Sequence, residues 1–159
     1  MRRSGAMTLR TKFHPSVDPP PELNPFPASV LAELLRSEGM ADRGEVHCVL
    51  TDDAEITDLN RRFRGKFGPT DVLAFPYDPE VAGGTHGDVY VSLDRAREQA
   101  AARQESVGRE VWRLFVHGAL HLAGWDHDTD DSERAMRERQ EEWVEQVFPS
   151  GRDPASADE

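Results

Sequence analysis

The string HGALHLAGWDH at residues 117–127 limits what this chain can fold into more than any other stretch. His117 and His121 are four apart, so on a helix both leave from one face. Gly124 is placed to end that helix in a left-handed turn. His127, three residues further on, is then carried back toward the other two. Three neutral imidazoles with an open fourth position form the ligand set of a catalytic zinc. A fold that uses them must close the end of one helix and the loop after it onto a single point.

The spacing matches the H-E-x-x-H-x-x-G-x-x-H pattern of metzincin proteases at all three histidines and the glycine. It departs at the residue after the first histidine. There the proteases carry their general base, a glutamate, and this chain has Gly118. The site is expected to hold a metal without running peptide hydrolysis in the usual way. A lone histidine on an apolar helix is most often a core residue, but three with the glycine in register are hard to obtain by accident. The general base stays open between the metal hydroxide alone, Asp126 and Asp128. Asp126 reads equally well as an acceptor that orients a ligand histidine. Asp71 is expected to fix a turn or an arginine, and His14, His47 and His86 have no partner spacing.

Composition sets the outer bounds. A hydrophobic content of 37% and a charged content of 31% over 159 residues predict one globular domain, at 7–148, with disordered ends at 1–6 and 149–159. The single Cys48 excludes an internal disulfide and suits a reducing compartment. Arg2 and Arg3 lead into Ser4, Gly5 and Ala6 rather than an apolar segment, so no signal peptide or membrane span is expected and the location reads as cytoplasmic. The net charge of −11 argues at first against nucleic acid. It is unevenly spread: residues 126–145 hold nine acids and three bases, whereas 59–70 hold Arg61, Arg62, Arg64 and Lys66 and no acid. A short basic cluster is either a solvated face or a phosphate-binding patch.

Periodicity divides the rest. Residues 7–13 alternate as a strand does, and five prolines in 14–25 predict an extended connector. Pro27 is placed to open a helix bearing Leu31, Leu34 and Leu35, which Gly39 stops. Residues 45–51 read as a second strand. Asp52 or Asp53 caps a helix with Ile56, Leu59 and Phe63 on one face, ended by Gly65. Strands follow at 71–77, where Pro76 points to an edge, and at 88–93, with a Gly/Pro loop over 78–87. Asp94 is expected to cap a third helix. Ser106 starts a fourth that is apolar nearly all round. Asp130, Asp131 or Ser132 caps a fifth, with Glu133 in a capping box and Met136, Gln140, Trp143, Val144 and Val147 facing inward. Trp112 and Trp143 read as core, and Trp125 as packing under its loop or stacking on a base. The fold class is mixed α/β (α+β): a four-stranded, mostly parallel sheet with one antiparallel edge strand, packed on about five helices.

Three blocks, LNRRFRGKFGPTDVLAFP at 59–76, GDVYVS at 87–92 and the histidine block, together resemble the bacterial YbeY family of metal-dependent endoribonucleases. The resemblance covers about residues 45–147. It implies that His117, His121 and His127 bind one Zn2+ and that Arg64 lines the cleft and acts on the RNA. By charge, Arg61, Arg62 and Lys66 would then hold flanking phosphates. It also implies cleavage of single-stranded ribosomal RNA in small-subunit 3′-end maturation and ribosome quality control, with the small ribosomal subunit as partner. Trp125 stands where many members have Tyr, and Ala74 where Ser is common. The alternatives are a non-catalytic assembly factor held together by zinc and, further off, a zinc peptidase or other hydrolase.

Overall fold

The computed structural model describes residues 7–40, 44–77 and 85–150. The ends expected to be disordered, apart from Pro149 and Ser150, lie outside them, as does most of the 78–87 loop. Among these residues four strands form one sheet: β1 (Met7–Phe13), β2 (Gly44–Thr51), β3 (Val72–Pro76) and β4 (Thr85–Ser92). Their order is β1-β2-β4-β3. β1 and β4 flank β2 in parallel, and β3 closes the sheet antiparallel to β4. The expected antiparallel edge strand is therefore β3, where Pro76 removes a donor without breaking a central ladder.

Among the described residues five helices cover the sheet: α1 (Ala28–Ser37), α2 (Asp53–Arg64), α3 (Leu93–Arg103), α4 (Val107–Leu122) and α5 (Asp130–Val147). The proline-rich segment is not wholly extended. It holds a 3-10 turn at Pro21–Leu23 that buries Leu23. α4 is the central helix, packed on β3, β4, α1, α3 and α5, and buries Trp112, Phe115 and Leu120. Strand alternation separates two cores. Val89 and Val91 of β4 join α1, α4 and α5 in the large one, while Tyr90 joins Ile56, Leu59, Leu73 and Phe75 in a small one under α2. Cys48 is buried in the large core.

Two caps differ from expectation. Ser92, not Asp94, caps α3, accepting from Arg95 N at 3.2 Å. Thr129, not Asp130, Asp131 or Ser132, caps α5, and Ser132 rather than Glu133 completes the box. A capping side chain needs an extended backbone, which Ser92 has as the last strand residue and Thr129 has at φ −118°. Asp94 instead accepts from Asp53 N at the start of α2, at 2.8 Å.

A charged seam joins α4 to α5. Arg113 donates to Glu105, Glu110 and Glu141, and Arg109 to Glu105 and Glu145. Burial opposes the charge on Arg113, but hydrogen bonds to Glu141 and Glu105 outweigh it and raise its pKa. Burial raises the Glu110 carboxyl above its usual range, against the pull of Arg113. Among the described residues no helix is long and apolar enough to cross a membrane.

Candidate metal centre

α4 presents His117 and His121 one turn apart, with their Nε2 atoms 3.1 Å from each other. The helix then ends in a Schellman turn: Gly124 N donates to His121 O and Trp125 N to Leu120 O, each at 3.0 Å. Gly124 supplies the required positive φ of 105°. The turn reverses the chain and brings the His127 ring to 5.0 Å from that of His121 and 5.9 Å from that of His117. One nitrogen from each of the three lies within 4.8 Å of the others. Around a tetrahedral zinc with bonds near 2.1 Å, ligand nitrogens sit about 3.4 Å apart. The cluster thus matches a divalent-ion site in donor type, and its α4 pair also in spacing.

The surroundings orient one ring and disfavour charge on another. His117 Nδ1 lies 2.7 Å from Gln140 Oε1 on α5. Since Oε1 only accepts, Nδ1 carries the proton and Nε2 turns its lone pair to the cluster. Gln140 Nε2 donates in turn to Glu141 Oε2 at 3.1 Å. His121 has a pKa below the usual imidazole value, chiefly from burial, then from His117 and His127, with a smaller push from Arg64. Gln140 was legible as an inward-facing residue but not as the partner of a ligand. The only signal is an amide in an otherwise apolar stripe.

Asp126 and Asp128 do not hydrogen-bond a ligand histidine. Asp126 Oδ1 accepts from Asp128 N at 3.4 Å within its own turn. Asp71 holds Gln99 at 3.1 Å through its side chain and Ser92 N at 2.9 Å through its carbonyl, so it fixes a turn and not an arginine. Trp125 resolves toward packing: its Nε1 donates to Glu38 at 3.0 Å, as does that of Trp143, and Arg139 lies over its ring. His14 and His47 sit beside acids elsewhere, next to Asp52 and Glu45. The His86 side chain lies outside the description. Gly118 leaves no room for the protease glutamate, since a Cβ there would meet Val89 Cγ1 at 2.5 Å.

The cluster opens on a cleft of about 520 Å³ walled by Val72, Ala74 and Pro76 of β3 and by Arg64. α2 lies on the far face of the sheet, yet β3 is an edge, so the Arg64 side chain passes round it. Its Nη2 makes a long, 3.5 Å contact to Ala74 O, and its guanidinium stands 6.0 Å from the Phe75 ring. Among the described residues no carboxylate pairs with Arg64. Arg61 and Arg62 sit outside the cleft lining and share Asp58, at 2.7 and 3.2 Å. Lys66 is exposed in the loop that follows.

A family profile described as "Endoribonuclease YbeY" matches residues 17–147, so the match reaches upstream of the three motifs into the proline-rich segment. An Endoribonuclease YbeY from Pelotomaculum thermopropionicum is 43% identical over 116 residues, 69% of this chain and 76% of that protein. One from Geobacillus thermodenitrificans is 36% identical over 150 residues, 86% of this chain and 94% of its own. The solution structure of TM1509 from Thermotoga maritima superposes with a TM-score of 0.63 at 31% identity, covering 96% of this chain and 97% of that one. With the motifs, the fold and these relatives in agreement, this chain belongs to the YbeY family.

Proposed function

We propose that this chain is a zinc-dependent endoribonuclease, specific for single strands, that acts on ribosomal RNA in small-subunit 3′-end maturation and ribosome quality control. The observation that carries the reading is the convergence of three imidazoles beside Arg64 in one open cleft. The names of its relatives supply the substrate class. Zinc, when bound, supplies a Lewis acid and acidifies water to a pKa of about 7.

The protein's own groups do the rest. Gln140 fixes the His117 tautomer. The Arg64 fork offers paired hydrogen bonds to the charge that builds on phosphate oxygens during cleavage. Arg61 and Arg62 exchange their exposed Asp58 contacts, which are worth about 0–1 kcal/mol, for flanking phosphates, and Lys66 holds another. No residue is assigned as general base. The small ribosomal subunit is the partner of this reading, and the cytoplasm its location.

The test is cleavage of a precursor small-subunit RNA fragment by wild type, His121→Ala and Arg64→Ala, purified side by side, with bound zinc measured in each. Wild type is expected to cut and His121→Ala to fall to background. Arg64→Ala should keep its zinc and lose about 10²–10³-fold in rate, the scale of one removed charge-stabilising donor. Zinc-loaded wild type that binds the RNA without cutting it would favour the assembly-factor reading.

A further inference from the structure

We infer that Phe67, supported by Phe63, is a stacking platform for unpaired RNA bases beside the cleft; the inference rests on the ribonuclease reading above and adds to it the residues that take the bases. Among the described residues four large apolar side chains are exposed, and two of them fall in the basic run 61–67, RRFRGKF. Phe67 is 86% exposed and Phe63 61%.

Phe67 does not stand out because its loop is loose. The segment is tied on both sides of it to the buried Asn60: Lys66 N donates to Asn60 O at 3.3 Å, and Asn60 Nδ2 donates to Gly68 O at 3.1 Å. Gly65 and Gly68, at φ 66° and 97°, make the two bends. The loop is built, and what it displays is a ring in water. Phe63 is anchored edge-on against Phe75 with centroids 5.6 Å apart, and Arg62 lies 5.1 Å from its ring.

The surrounding charge decides the partner. Arg61, Arg62, Arg64 and Lys66 alternate with the two rings, and Arg64 continues into the histidine cleft. Aromatic faces set among cations are how proteins hold single strands without reading sequence: cations follow the phosphates and each ring takes a base. Paired RNA keeps its bases stacked internally and gives such a ring nothing to bind.

The experiment is fluorescence anisotropy with zinc-loaded full-length protein. The probes are a short unstructured 2′-O-methyl oligonucleotide, an abasic oligonucleotide of equal length, and a paired hairpin, each at two salt concentrations. Phe67→Ala is expected to weaken the unstructured probe about fivefold or more, leave the abasic probe and the salt slope unchanged, and melt as wild type does. Phe67→Trp restores binding. Lys66→Gln weakens both single-stranded probes equally and lowers the salt slope by about one. Equal loss on the base-bearing and abasic probes, or no loss on either, overturns the platform. So does sedimentation showing that Phe67→Ala dissociates a dimer, which would make the ring a contact to the acidic face of a second copy. Because binding is read without cleavage, a wild type that stacks bases but never cuts sinks only the nuclease reading. Wild type that binds no probe sinks both.

Discussion

Gln140 holds the proton of His117 at Nδ1 from 2.7 Å and is itself held by Glu141. Removing an outer hydrogen bond of this kind typically lowers metal affinity about 10–100-fold. Gln140→Ala should do so, measured as zinc transfer to a chelating dye, while Gln140→Glu, which still accepts the Nδ1 proton, should stay near wild type. Undiminished affinity in the alanine variant would show that α4 alone orients the ring. The same residue marks where the sequence stops being informative. The three histidines lie within one short string, so helical period and one glycine place them. Gln140 comes from another helix, and no local pattern joins it to His117. Resemblance and charge pointed to Arg64; the passage of its side chain round an edge strand into the cleft depends on sheet order.

At the scale of elements, α4 lies on β3 and β4 so closely that Gly118 has no space for a side chain. A Cβ would stand 2.5 Å from Val89 Cγ1 and 3.2 Å from Val72 Cγ2. Val89 is buried and β-branched, so it yields little. Alanine improves helix propensity by about 1 kcal/mol over glycine, and overpacking costs about 1–3 kcal/mol. Gly118→Ala is therefore expected to be destabilising by about 1 kcal/mol net, read as a lower urea midpoint at constant m-value. A variant more stable than wild type would show that the helix can back away. The departure from the protease motif thus has a packing reason as well as a chemical consequence. Strands and helices were legible from periods of two and 3.6. The start of β4 was not, because Gly87 reads as a loop residue. It stands in the strand because Leu122 covers it, with a Cβ there meeting Leu122 Cδ2 at 2.9 Å. The caps of α3 and α5 were misplaced because residue type suggests several candidates and only the backbone angle selects one.

Over the whole molecule, the three histidines join the end of α4 to the loop that leads into α5, so a metal held by them would link its occupancy to global stability. Zinc at about 100 times its Kd adds about 2.7 kcal/mol, which for a domain of this size is roughly 5–11 °C in Tm. The pH dependence follows from His121. Its pKa in the folded protein lies below the usual value, so the unfolded chain binds the proton more readily. Its contribution is present above the unfolded imidazole value of about 6.5 and is lost as pH falls through the lower folded value. Zinc needs all three rings deprotonated, so its increment declines in the same window. Glu105 and Glu141, held below their usual range because Arg113 outweighs their burial, act with the same sign. Buried Glu110 acts with the opposite sign. The carboxylate contributions are the same with and without zinc, so the difference between the two reports the imidazoles in the interval just below 6.5. Melting curves with and without zinc should therefore converge as pH drops through that interval, and His121→Ala should show little zinc increment at any pH. A zinc increment that persisted unchanged to pH 5, or that survived in His121→Ala, would place the stabilising ion elsewhere on the protein.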